Sequence, residues 1–73
     1  MITLYTLVDC PRCVLVKQML DKHNVQYNEI QDNRQLMIDK GFIEAPVLEV
    51  DGRTIETYTS VLAWLEDNNY YSL

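Results

Sequence analysis

The chain has 73 residues and a formal net charge of −5, enough for one small domain spanning residues 1–73 and no second. Six Lys and Arg against eleven Asp and Glu exclude the basic face that nucleic acid requires and disfavour an anionic membrane surface. The start, MITLYTLVDC, has no basic n-region and does not read as a signal peptide, and no apolar run reaches the length of a membrane span. With two cysteines in the chain, this points to a reducing compartment, and the cytoplasm is expected.

Ile2 to Leu7 alternates β-branched, apolar and hydroxyl residues and predicts a strand. Pro11 suits the first position of a helix, where its missing N–H has no partner to lose. That helix runs to about His23, carried by Val14, Leu15 and Met19 with Val16 and Leu20 beside them, and Asn24 is its stop. Val25 to Ile30 alternates again and predicts a second strand. Asp32 followed by Gln35 resembles a capping box, opening a short helix through Leu36, Met37 and Lys40 that Gly41 ends. Beyond Glu44-Ala45-Pro46, a third strand is expected over Val47 to Val50. Asp51-Gly52 is a two-residue hairpin signal, so an antiparallel strand follows from Arg53 to Glu56. A last helix spans about Thr59 to Asn68, with Tyr58, Val61, Leu62 and Leu65 on one face and Trp64 offset from it as partial packing. The order is β-α-β-α-β-β-α. A helix between the first two strands requires them to be parallel, and a mixed four-stranded sheet with helices on both faces is the economical solution.

Chemistry is concentrated in DCPRC, residues 9–13, which holds both cysteines. Cys10 falls at the helix start and Cys13 one turn later on the same side. The Cys10 thiol then faces the unpaired N–H groups of Arg12 and Cys13. Thiolate accepts those bonds better than thiol, so its pKa is expected moderately below the usual ~8.5, with Arg12 assisting and Asp9 opposing. Three jobs are open to such a pair. A structural staple gains little from closing so short a loop. A metal centre lacks further ligands, since His23 sits ~15 Å farther along the helix, so two chains would have to share their pairs. A thiol–disulfide couple suits C-x-x-C beside a βαβ pattern.

With these elements in order, the whole chain resembles a glutaredoxin, which implies a thioredoxin-like fold. ITLYTLVDCPRC and KGFIEAPVLEVDG are similar to the short glutaredoxin-like redoxins that reduce ribonucleotide reductase, whereas YTSVLAWLEDN resembles the last helix of glutathione-linked members. The resemblance implies Cys10 as nucleophile and Cys13 as resolving cysteine. It places Pro46 as a cis-proline facing them and Ala45 as a source of backbone groups for an extended ligand. Tyr58, Thr59 and Ser60 match the helix start that holds the γ-glutamyl end of glutathione, where a helix N-terminus suits a carboxylate. Departures are also plain. Glu56-Thr57 stand where many glutathione-linked members carry Gly-Gly, and Ser60 stands in place of an acidic residue. Arg12 replaces a common tyrosine and is able to pair with a carboxylate; Leu7-Val8-Asp9 lacks a basic residue; and the Ser-Gly-Phe signature of the reductase-linked group is absent.

The expected function is thiol–disulfide exchange on protein disulfides or glutathione mixed disulfides, ribonucleotide reductase among the partners. No bound cofactor or metal is expected. Glutathione is the expected co-substrate, with thioredoxin reductase as the alternative electron source, and the chain is expected to act as a monomer. The competing reading is a binding module in which two chains share a metal ion or cluster through Cys10 and Cys13.

Overall fold

The structure is a computed structural model in which residues 1–70 are described; residues 71–73, part of the expected domain, lie outside them. In chain order the elements are β1 (Ile2–Thr6), α1 (Pro11–Lys22), β2 (Asn28–Gln31), α2 (Arg34–Asp39), β3 (Val47–Val50), β4 (Arg53–Ile55) and α3 (Tyr58–Asp67). The four strands form one sheet in the order β2-β1-β3-β4. β1 pairs parallel with β2, starting at Thr3 opposite Asn28, and antiparallel with β3, where Leu4 lies opposite Leu48. The β3–β4 hairpin turns at Asp51 and Gly52, both at positive φ (48° and 87°), as the two-residue turn matched to strand twist requires.

Side-chain alternation sorts the core onto the two faces of this sheet. Leu4, Leu48 and Ile55 point to one face, where Val16, Met19 and Leu20 of α1 meet Val61, Trp64 and Leu65 of α3. Tyr5 and Val47 point to the other, joined by Met37 of α2, Phe42, Ala45 and Cys13. The expected α/β architecture, a mixed four-stranded sheet with helices on both faces, is therefore what forms.

Several boundaries differ from the sequence reading, each for a local reason. The second strand begins at Asn28, not Val25, because the turn that follows α1 passes through Asn24 at positive φ and the Val25 N–H closes onto the Leu20 carbonyl at 3.0 Å; Val25 itself is buried in the core. The cap of α2 is Asn33, whose side chain accepts from the Leu36 N–H at 3.2 Å. Asp32 is unsuited to capping because it sits at positive φ with its N–H donated to the Thr6 carbonyl at 2.8 Å. Gln35 bonds Asp39 instead. Gly41, at φ 81°, ends α2 as expected, with the Phe42 N–H reaching back to the Met37 carbonyl. α3 starts at Tyr58 rather than Thr59, since Thr57 Oγ1 accepts from the Ser60 N–H at 3.1 Å and so caps it.

The inward faces of two helices also differ. On α1 the buried residues are Cys13, Val16, Met19 and Leu20, whereas Val14 and Leu15 are half exposed. On α3 Trp64 is buried and Tyr58 is half exposed, reversing the expected stripe at both positions.

Candidate active site

The site is built where β1 hands the chain to α1. After Thr6, the chain turns through Asp9 at φ 56° into Cys10, which is extended (φ −116°, ψ 99°) and caps the helix. Pro11 follows at the first helical position. Cys10 Sγ accepts from the Cys13 N–H at 3.1 Å; of the two donors expected, this is the one that bonds. Cys10 and Cys13 are joined as a disulfide with their Cα atoms 5.2 Å apart. Cys13 is 2% exposed and packs in the smaller core cluster, while Cys10 is partly open to solvent. That asymmetry separates a reachable sulfur from a protected one.

Pro46 is joined to Ala45 by a cis peptide bond, and the Ala45 carbonyl oxygen lies 3.9 Å from Cys10 Sγ. The loop before β3 thus approaches the redox pair from across the chain. Adjoining it is a groove of about 350 Å³ that gathers Arg12, Ala45, Pro46 and Tyr58 from the expected set. Thr59 and Ser60 are not among its walls. Ser60 faces a neighbouring open cleft with Arg53 and Trp64, and its hydroxyl accepts from Thr57 Oγ1 at 2.7 Å. Thr59 Oγ1 lies 3.4 Å from the same Thr57 oxygen. The three residues expected to act together at the start of α3 therefore divide: Tyr58 lines the groove beside Thr57, while Thr59 and Ser60 gather around the Thr57 hydroxyl without lining it.

The groove also holds residues that sequence reasoning did not assign to it: Leu15, Ile43, Glu44 and Glu56. Glu56 left a trace as the residue standing where glycine is common. Leu15 and Ile43 left none, since a solvent-facing apolar residue looks like a core residue in sequence. A second pocket, of about 500 Å³, includes both cysteines with Thr6, Val14, Lys17 and Gln31. Beside it Lys17 Nζ and Thr6 Oγ1 both reach Glu29 Oε2, at 3.2 and 2.7 Å. Among the described residues no group of three or more His, Cys, Asp or Glu side chains is placed to hold a metal ion. Nor is any helix among them long and apolar enough to cross a membrane.

A cysteine pair opening a helix at the end of the first strand, opposite a cis-proline, on this β-α-β-α-β-β-α sheet defines a thioredoxin-like redox protein. Comparisons with known proteins agree. The family model described as Glutaredoxin matches residues 2–55. Glutaredoxin-like protein NrdH of Lactococcus lactis subsp. cremoris is 36% identical over 56 residues, covering 70% of this chain and 78% of that protein. Glutaredoxin 1 of Rickettsia prowazekii is 53% identical over 30 residues, 41% of this chain and 32% of the relative. The crystal structure of a thioredoxin-like protein superposes with a TM-score of 0.73 at 30% identity, covering 92% of this chain and 97% of its own. A wheat glutaredoxin, at 16% identity and TM-score 0.67 over 99% of this chain and 83% of its own, shares the fold. The chain belongs to the glutaredoxin family, whose members carry thiol redox chemistry.

Proposed function

We propose that the chain is a dithiol oxidoreductase that reduces protein disulfides and glutathione mixed disulfides, with ribonucleotide reductase among its protein partners. The observation that carries this reading is the unequal pair: a partly exposed Cys10 at a helix start, bonded to a buried Cys13 whose own N–H reaches the Cys10 sulfur. In the reduced protein the Cys10 thiolate attacks one sulfur of a substrate disulfide. A Cys10–substrate bond forms, the substrate S–S bond breaks, and the departing thiolate takes a proton. Cys13, deprotonated, then attacks the Cys10 sulfur and releases the second substrate thiolate, leaving Cys10–Cys13 oxidised and the substrate reduced by two electrons. Buried Cys13 suits this second step because it meets Cys10 before any outside disulfide.

In this reading Arg12, Ala45, Pro46 and Tyr58 line the substrate groove, and Thr59 and Ser60 lie beyond it. The chain works as a monomer in the cytoplasm, without a nucleic-acid or membrane partner. Electrons return to the Cys10–Cys13 disulfide from glutathione, with thioredoxin reductase as the alternative donor. The similarity of ITLYTLVDCPRC to the reductase-linked redoxins supports the second donor, and that of YTSVLAWLEDN to glutathione-linked members supports the first.

The test is to supply oxidised protein with NADPH and either glutathione plus glutathione reductase or thioredoxin reductase, and to follow NADPH consumption with a disulfide substrate. Turnover that vanishes in Cys10→Ser supports the reading, and the faster system identifies the donor. Absence of turnover with both would refute it. In the reduced protein, the 240 nm thiolate absorbance should titrate with a midpoint below ~8.5; a midpoint at the free-cysteine value contradicts the role given to the Cys13 N–H.

A further inference from the structure

The groove beside the disulfide carries three charged side chains, Arg12, Glu44 and Glu56. All three are exposed, and among the described residues none of these side chains has an ion pair or hydrogen bond within the chain. Of the other basic side chains, Lys17, Lys40 and Arg34 are each paired with a carboxylate, while Lys22 and Arg53, outside this groove, have no ion pair among the described residues. Apolar surface is left open at the same place: Ile43 is 91% exposed, Leu15 52% and Tyr58 50%. Exposed apolar side chains ringed by unpaired charge mark a contact surface more than a solvated one. Two carboxylates against one guanidinium give the groove the sign of the whole chain, whose net charge is −5, so local and long-range fields act together on an approaching partner.

We propose that this groove selects an extended, disulfide-bearing segment of a protein partner that carries a lysine or arginine within a few residues of its reactive cysteine. Its basic side chain faces Glu44 and Glu56, while apolar neighbours cover Ile43, Leu15 and Tyr58. Arg12 acts with the opposite sign and favours a carboxylate on the segment. The inference rests on the dithiol reading above and adds to it the class of substrate. Exposed pairs are individually weak and screened by salt, so selection operates mainly on encounter and on rejection of acidic segments, where charge complementarity acts most strongly.

Three short peptides that share one intrachain disulfide and differ only in flanking Lys, Ser or Glu residues test this. Their rates of reduction by the reduced protein are measured at about 0.01 M and about 1 M salt, where screening lengths are roughly 30 Å and 3 Å. At low salt the Lys peptide should react about tenfold faster than the Glu peptide, equivalent to about 1.4 kcal/mol. The ratio should fall toward one at high salt. Glu44→Gln with Glu56→Gln should collapse or invert it, and Arg12→Gln should widen it, with the Ser peptide as the baseline within each protein. Opposite responses to opposite charges are not produced by a merely structural role. Equal rates for the three peptides, a faster Glu peptide, or a ratio unmoved by the double substitution would overturn the proposal while leaving the dithiol reading intact. Failure to reduce any peptide would overturn both.

Discussion

The two faces of the sheet are built differently. One is closed by two helices over a wide apolar layer in which Leu4, Leu20 and Leu65 are fully buried and Leu48 and Val16 nearly so. The other is covered by the six-residue α2 and a smaller cluster, in which Tyr5 packs edge-on against Phe42 with ring centroids 5.1 Å apart. Polar groups border that second cluster: Tyr5 donates to Glu49 at 3.0 Å, and Lys40 Nζ reaches the same carboxylate at 3.1 Å. Cys13 and Ala45 are buried within the smaller cluster, and Cys10 lies at its rim. Stability is thus concentrated on the face of α1 and α3, and redox chemistry at the edge of the thinner one. A disulfide couple needs one sulfur protected and the other reachable, and the rim of a small cluster supplies both.

The largest effect that separates the two regions is on activity. Cys10→Ser should abolish all disulfide reduction, while Cys13→Ser should retain part of the deglutathionylation, since glutathione itself resolves the Cys10 mixed disulfide. Equal loss in both variants, in a glutathione-coupled assay, would remove the monothiol branch. Cys10→Ser should leave the unfolding midpoint of the reduced protein nearly in place, whereas Cys13→Ser, which puts a hydroxyl into the smaller cluster, should lower it.

Next in size is the cost of emptying each core. Leu20→Ala, on the thick face, should lose about 4 kcal/mol in urea unfolding, and Met37→Ala, on the thin face, about 2 kcal/mol. Against a total stability of roughly 4–11 kcal/mol for a chain of this size, the first variant approaches unfolding and the second does not. Equal losses would break the contrast between the faces.

Smaller still is the cap of α3. Thr57→Ala removes the acceptor for the Ser60 N–H and should cost about 1 kcal/mol, whereas Thr57→Asn, which keeps a capping oxygen, should restore most of it.

The smallest expected effect lies on the thin face and depends on pH. The Lys40 ammonium and, after it, the Tyr5 hydroxyl hold the Glu49 carboxyl below its ordinary value of 4.5. A carboxyl with a lowered folded pKa stabilises above its unfolded pKa, and that contribution is lost as pH falls through the folded one. Stability should therefore decline on acidification below that ordinary value of 4.5, and Glu49→Gln should shallow that decline. An unchanged acid slope in urea titrations would show that the pair is fully screened.

Much of this was legible in the chain because it depended on local chemistry. Pro11 after Cys10 marked a helix start, Asp51-Gly52 marked a two-residue turn, and Gly41 marked a helix end; each corresponds to a backbone conformation that few residues adopt without cost. Errors arose where neighbours competed for one role. Asp32 and Asn33 are both good caps, and the bond from Asp32 to the end of β1 decided between them. Thr57 and Thr59 are both able to open α3, and the backbone reached extended geometry at Thr57. On α1, Val14, Leu15, Val16, Met19 and Leu20 encircle the helix, so apolar character alone did not say which side met the sheet.

The sequence by itself determined the order of elements, the parallel first pair and the placing of Cys10 and Cys13 one helical turn apart, because these follow from backbone preferences and spacing within a few residues. Tertiary structure alone decided that Cys13 is buried and Cys10 open, that the Ala45 carbonyl stands 3.9 Å from the Cys10 sulfur, and that Arg12, Glu44, Glu56 and Tyr58 share one groove. Those residues come from three separate segments of the chain. Only the docking of α1, the Pro46 loop and α3 at one end of the central strands brings them to one place, and no local preference encodes that meeting.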